Sequence, residues 1–348
     1  MRVVVTGHLG YIGTVLVPML QEEGHEVVGL DSDLYRNSTF GDDIPLVRAV
    51  QKDIREVTAK DLEGFERIIH LAALSNDPLG DLNPQLTYEI NYEASVRLAE
   101  HAKAAGVSRY LFSSSCSTYG AAGDSLLNEE AEFNPVTHYG HSKVLVERDV
   151  RRLADSNFSP TFLRNTTAYG VSPRHRFDIV LNNLVAHAMT RGLVYLKSDG
   201  TPWRPLIHVE DIARAFSAVL HAPREAIHNQ AFNVGITGEN YQIRQLAEIV
   251  RETVPGSRVE FAADAGPDKR SYRVDFSKIN QWLPHFRPQW NVRQGAKQLY
   301  EAYEQIGLSL EDFEGPRYKR IDQIRYLLET RQLDETLRWL NTAVPQSR

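Results

Sequence analysis

Met1-Arg-Val-Val-Val-Thr-Gly-His-Leu-Gly-Tyr-Ile-Gly13 opens the chain, and its reading sets the reading of the first half. Arg2 to Thr6 is a short β-branched run, which favours an extended strand. Glycines interrupt it, and Tyr11 to Glu23 then carries apolar residues at helical spacing until Gly24 stops the pattern. The order is strand, tight turn, helix. Gly7, Gly10 and Gly13 fall at the junction, where a sharp turn, close backbone approach to a pyrophosphate and close helix packing each favour glycine. The amino end of the helix then faces the phosphates.

The same alternation continues outward. Glu26 to Asp31, Val47 to Asp53, Arg67 to Ala72, Arg109 to Ser113 and Ser159 to Arg164 read as strands, and Leu86 to Ala105 and Tyr139 to Asp155 as helices. Strands alternating with helices predict an α/β fold with a doubly wound parallel sheet. Asp31 ends the second strand, where a carboxylate accepts hydrogen bonds from an adenosine ribose and repels a 2′-phosphate. This favours NAD over NADP. Arg36, the nearby cation, reads as a solvated loop charge.

The 348 residues exceed one average domain of roughly 150 and predict about two. Hydrophobic residues at 42% and charged residues at 24% are ordinary for a folded globular protein. A net charge of -6 offers no basic excess for nucleic acid. Cys116 is the sole cysteine, no signal-peptide layout opens the chain and no apolar run is long enough for a bilayer, so a cytoplasmic protein away from membranes is expected. Past Pro173, helices are predicted near Val180 to Arg191, Glu210 to Leu220, Tyr241 to Val254 and Trp290 to Ile306, with a strand at Val259 to Phe261. The tail from Gly315 to Arg348 reads as two amphipathic helices that cover a hydrophobic surface or a dimer seam. His138 and His141 flank Tyr139, but no His/Cys/Asp cluster has zinc-ligand spacing, so no metal is expected.

A second constellation stands in Phe112-Ser-Ser-Ser-Cys-Ser-Thr-Tyr-Gly120 and Tyr139-Gly-His-Ser-Lys143. A tyrosine and a lysine four apart share one helical face, so an ammonium can lower the phenol pKa from its ordinary ~10. A phenolate can then act as base while a hydride leaves a secondary alcohol for a nicotinamide, and a serine hydroxyl can orient the alcohol oxygen. Ser115 is assigned that role.

With these motifs in this order, the chain resembles an extended short-chain dehydrogenase/reductase of the nucleotide-sugar epimerase/dehydratase group over about residues 1–305. The resemblance implies a Rossmann-type sheet, a smaller α/β substrate-binding domain and, beyond it, a helical C-terminal extension. Expected boundaries are 1–170 with about 205–235 for the NAD-binding domain, 171–204 with 236–310 for the substrate domain, and 311–348 for the extension. It implies catalytic Ser115, Tyr139 and Lys143. NAD would be held by Gly7, Gly10, Tyr11, Ile12, Gly13, Asp31, Asp53, Ile54, Leu71, Ala72, Ala73, Asn91 and Ser113, together with Tyr139 and Lys143. A nucleotide-diphosphate sugar would be held by Ser115, Thr167, Asn183, Arg204 and Asp268, with His208 and Asp211 holding structure.

Two departures matter. The Asp-Glu pair of the group's 4,6-dehydratases is replaced by Cys116 and Ser117, and Thr167 stands where many of its galactose-type epimerases place Asn. The implied activity is an NAD-dependent epimerisation through a 4-keto sugar. A 4-keto reductase or dehydratase of the same family is the alternative, ahead of a dinucleotide-sensing protein without turnover. A homodimer is implied, with a seam that includes the Tyr139 helix.

Overall fold

Seven parallel strands form the central sheet. In the computed structural model, which describes residues 1–41, 44, 46–75, 83–120, 125–266 and 271–340, they are β1 (Arg2–Thr6), β2 (Glu26–Asp31), β3 (Arg48–Gln51), β4 (Arg67–His70), β5 (Arg109–Ser115), β6 (Ser159–Asn165) and β7 (Ala231–Val234). Their order is β7-β6-β5-β4-β1-β2-β3. The chain winds outward from β1 to β3, crosses back to β4 beside β1, and winds outward again. Such a reversal leaves a crevice at the carboxyl ends of the central strands.

Both faces of the sheet are covered, which is why its strands read as continuous apolar runs. Val3 and Val5 join one core with α1 (Gly13–Glu22), while Val4 joins the other with α2 (Ala94–Ala104) and α3 (His138–Arg151). The helix expected over Leu86 to Ala105 is made of Pro84–Tyr88, a single π turn at Glu89–Glu93, and α2. A third core gathers α4 (Val180–Arg191), α6 (Ile243–Thr253) and α7 (Val292–Gln305), with Leu196, Leu206, Phe313 and Tyr318. Between these lies α5 (Val209–His221), packed with α1 on the first face. The Tyr241 to Val254 helix expected from sequence begins at Ile243, after a short strand at Asn240–Gln242.

The extension departs from expectation. Its described part holds Leu310–Glu314 and α8 (Arg320–Glu329), and residues 330–340 form turns rather than a second long helix. Asp334 explains part of that course, since its carboxylate accepts from the main-chain N–H groups of Thr336 and Arg338 and caps a turn. Ile324, Leu327, Leu333 and Leu337 bury themselves in the same core as Val4 and Leu30. The tail thus returns to the first strands of the sheet.

Candidate active site

A crevice of about 1280 Å³ opens at the carboxyl ends of β1, β2, β4, β5 and β6. Its volume exceeds the ~300–1,000 Å³ that one small ligand occupies. Gly7, Gly10, Tyr11, Ile12, Gly13, Asp31, Asp53, Ile54, Leu71, Ala72, Ala73, Ser113, Ser115, Tyr139, Lys143, Thr167, Asn183 and Arg204 all line it.

The glycine turn is shaped by contact. Gly7 has a φ of 74°, and a Cβ there would lie 2.6 Å from the Ala72 nitrogen; one on Gly13 would lie 2.4 Å from the Gly7 carbonyl. No side chain caps α1, so its amino end is turned to the crevice as a dinucleotide's phosphates require. Asp31 Oδ2 accepts from the Leu9 N–H at 3.0 Å and Oδ1 from the Asp33 N–H at 2.8 Å, which fixes the carboxylate at the end of β2. Asp53 is gripped by Arg55, with Nη2–Oδ2 at 2.6 Å, and the guanidinium holds its carboxyl below the ordinary range although burial pulls the other way. These residues fit a bound dinucleotide.

Asn91 is placed otherwise. Its amide clamps Leu74, accepting from the N–H at 2.7 Å and donating to the carbonyl at 3.0 Å, so Ile90 of the same π turn faces the crevice instead. Behind the loop, His70 joins Thr6 at 2.6 Å and Ser95 at 2.8 Å, and burial keeps it neutral with a pKa of about 3.

Opposite the glycine turn, β5 and α3 present the second constellation. Thr137 caps α3, its side chain accepting from the Gly140 N–H, so Tyr139 and Lys143 lie on the first turns at the crevice. Lys143 Nζ donates to the Ser113 carbonyl at 2.7 Å and stands 5.6 Å from the centre of the Tyr139 ring. Burial lowers its pKa to about 7, against the pull of the Glu147 carboxylate. Ser115 Oγ donates to Ser117 Oγ at 3.0 Å. Cys116 faces away from the crevice into the core and donates to the Arg164 carbonyl at 3.1 Å; burial pushes its thiol far above the ordinary range.

In the outer crevice, Asn183 donates to the Phe177 carbonyl at 2.9 Å and Arg204 to that of Trp203 at 2.8 Å. Asp268 lies outside the described residues. His208 stacks on Trp290 at 4.1 Å and Asp211 accepts from the Gln289 and Trp290 N–H groups, both serving structure as read from the sequence.

Several crevice residues had no signal in the sequence. Asn165 lines the crevice at the end of β6, with Nδ2 donating to Ser113 Oγ and Oδ1 buried. Arg320 and Leu337 line the crevice from the tail. Arg320 stacks 4.0 Å over Tyr35 and is buried with Nη1 unpartnered. Trp339 donates to the Ser32 carbonyl at 2.8 Å, its ring 3.5 Å from the Arg36 guanidinium. Arg36 is therefore stacked rather than solvated.

The family described as "NAD dependent epimerase/dehydratase family" matches residues 3–235. The chain belongs to this epimerase/dehydratase family. Its relatives include the UDP-glucose 4-epimerase of Mycolicibacterium smegmatis, 30% identical over 318 residues that cover 87% of this chain and 98% of that protein. The UDP-glucuronic acid decarboxylase 1 of Arabidopsis thaliana is 26% identical, over 90% of this chain and 72% of that one. Among solved structures, MoeE5 in complex with UDP-glucuronic acid and NAD superposes with a TM-score of 0.76 at 27% identity, covering 88% of this chain and 100% of that one. Membership makes NAD the cofactor, and the MoeE5 complex holds NAD beside UDP-glucuronic acid. Among the described residues, no helix is long and apolar enough to cross a membrane.

Proposed function

We propose that this family member is an NAD-dependent epimerase of a nucleotide-diphosphate hexose, acting through a 4-keto sugar. The carrying observation is that Ser115, Tyr139 and Lys143 share one crevice with the glycine turn, while the dehydratase acid positions hold Cys116 and Ser117. Tyr139, as phenolate, takes the proton of the C4 hydroxyl as the C4–H bond breaks, and Ser115 holds the C4 oxygen. NAD, held at the glycine turn and by Lys143, would supply the acceptor for that hydride and the donor for its return. The keto sugar turns in the outer crevice, and Tyr139 gives its proton back to the oxygen once C4 would be reduced on its other face. Atoms and electrons balance with no net redox change.

Lys143 anchors the nicotinamide ribose and Asp31 the adenosine ribose. Thr167, Asn183 and Arg204 hold the nucleotide diphosphate; an arginine fork suits it by donating parallel charged hydrogen bonds. The carboxy-terminal segment completes the adenosine end through Arg320, Leu337 and Trp339. The dehydratase alternative is disfavoured by Cys116, whose buried thiol donates to the Arg164 carbonyl and has no path to a substrate proton. An epimerase needs its nicotinamide to stay bound, whereas a 4-keto reductase exchanges it each cycle.

The test is mass spectrometry of small molecules released from the denatured protein, with Tyr139→Phe assayed beside the wild type on UDP-hexoses. Near-stoichiometric NAD and a rate loss of about 10²–10⁴-fold in the variant, with NAD still bound, are expected. Release of NADPH, or near-normal turnover in the variant, sinks the reading.

A further inference from the structure

Far from the crevice, at the opposite ends of α1 and α5, three side chains converge. Glu23 caps the carboxyl end of α1, His25 precedes β2, and His221 is the last residue of α5. The two imidazole Nε2 atoms are 3.1 Å apart. Glu23 Oε2 lies 3.2 Å from His221 Nε2 and 3.6 Å from His25 Nε2. Among the described residues this is the one group of three such side chains whose ligand atoms meet within 4.8 Å.

We propose that Glu23, His25 and His221 form a binding site for a divalent transition cation of the zinc type. Zinc holds imidazole nitrogen and carboxylate oxygen at about 2.0–2.2 Å, and tetrahedral angles then separate neighbouring ligand atoms by about 3.3–3.5 Å. The three observed separations bracket that value. Two imidazoles with one carboxylate suit zinc and its neighbours over calcium or magnesium, which take oxygen ligands.

The surroundings support the site independently. Ser217 Oγ donates to Glu23 Oε1 at 2.7 Å, which leaves Oε2 for the imidazoles and orients the carboxylate. The carboxyl ends of two helices meet here, and each carries partial negative charge that favours a cation. His25 is buried with its Nδ1 unpartnered, so Nε2 is its one polar contact. His221 is about half exposed, which gives an ion an entry path and leaves the fourth position to water. The ion would join α1 to α5 across the first core, a bracing role remote from the reacting atoms. Sequence spacing could not reveal the group, because His25 and His221 stand 196 residues apart.

The test is calorimetric titration of the full-length holoprotein, stripped by chelator, with zinc chloride, alongside His221→Ala and Glu23→Gln. One ion per chain is expected, with a Kd on the order of 1 μM or tighter, weakened at least about tenfold in each variant, and a zinc-dependent rise in Tm absent from both. Bound NAD should be the same in all three proteins, which keeps this result separate from the proposed chemistry. Zinc uptake by the variants equal to the wild type, or no stoichiometric uptake by any of them, reduces the cluster to a His–His–Glu hydrogen-bond group and overturns the proposal.

Discussion

Lys143 donates to the Ser113 carbonyl over 2.7 Å, tying the first turns of α3 to the end of β5. Its buried ammonium has a pKa near 7, below the ordinary 10.5, because burial disfavours charge. Between these values the unfolded chain binds a proton that the folded chain has shed, so folding stability rises with pH from about 7 to 10.5. Below that window the full burial penalty is present and constant. Urea unfolding of cofactor-free protein at pH 7, 8 and 9 should show the rise, and Lys143→Met should flatten it. An unchanged slope in the variant would place the titration elsewhere.

Asp31 is held by two main-chain N–H groups at the end of β2, so its charge keeps a fixed place. Asp31→Ala removes both the acceptor for a ribose hydroxyl and the repulsion of a 2′-phosphate. NAD should bind about tenfold more weakly, the worth of one hydrogen bond to a charged group, while NADP binding holds or improves. Equilibrium binding of both dinucleotides checks this, and an unaltered NAD/NADP ratio speaks against the assignment.

Glu147 and Arg164 form a buried ion pair behind the catalytic strand, with Arg164 Nη2 at 2.8 Å, and Ser114 Oγ donates to the same carboxylate at 2.6 Å. Glu147→Ala leaves the guanidinium buried and uncompensated. A loss of about 3–5 kcal/mol in unfolding free energy is expected by denaturant titration. A loss below about 1 kcal/mol would mean that Arg164 finds water or another partner.

Trp339 bridges the Ser32 carbonyl and the Arg36 guanidinium. Trp339→Ala should release the tail from the adenosine end and speed NAD loss at least about tenfold, the factor that ~1.4 kcal/mol of lost contact gives. Rapid gel filtration at timed intervals after dilution, with chromatography of the NAD still bound, measures it. Retention as slow as in the wild type would show the tail to be mere covering.

Much of this site was legible because its constraints are local. A glycine turn between a β-branched run and a helix, and a tyrosine and lysine one helical turn apart, are patterns set by backbone geometry within a few residues. The setting of Asn91 is less local: the π turn at Glu89–Glu93 puts Ile90 on the crevice wall, while the Asn91 amide clamps Leu74. No periodicity announces that turn. The tail misled, since apolar spacing in Leu333 and Leu337 resembles a helix while Asp334 stabilises turns between them. Arg320 carried no sign of burial, because its stacking partner Tyr35 lies in the distant β2–β3 connection.

The Trp339–Ser32 hydrogen bond spans 307 residues. Ribosomes deliver about 5–20 residues per second, so Ser32 leaves the tunnel roughly fifteen seconds to a minute before its partner, by that rate over the 307-residue separation. The first strands can pair during that interval, but the contact at Ser32 must wait for residue 339. A nascent chain therefore carries its glycine turn and Asp31 well before the indole that ties down Ser32 exists.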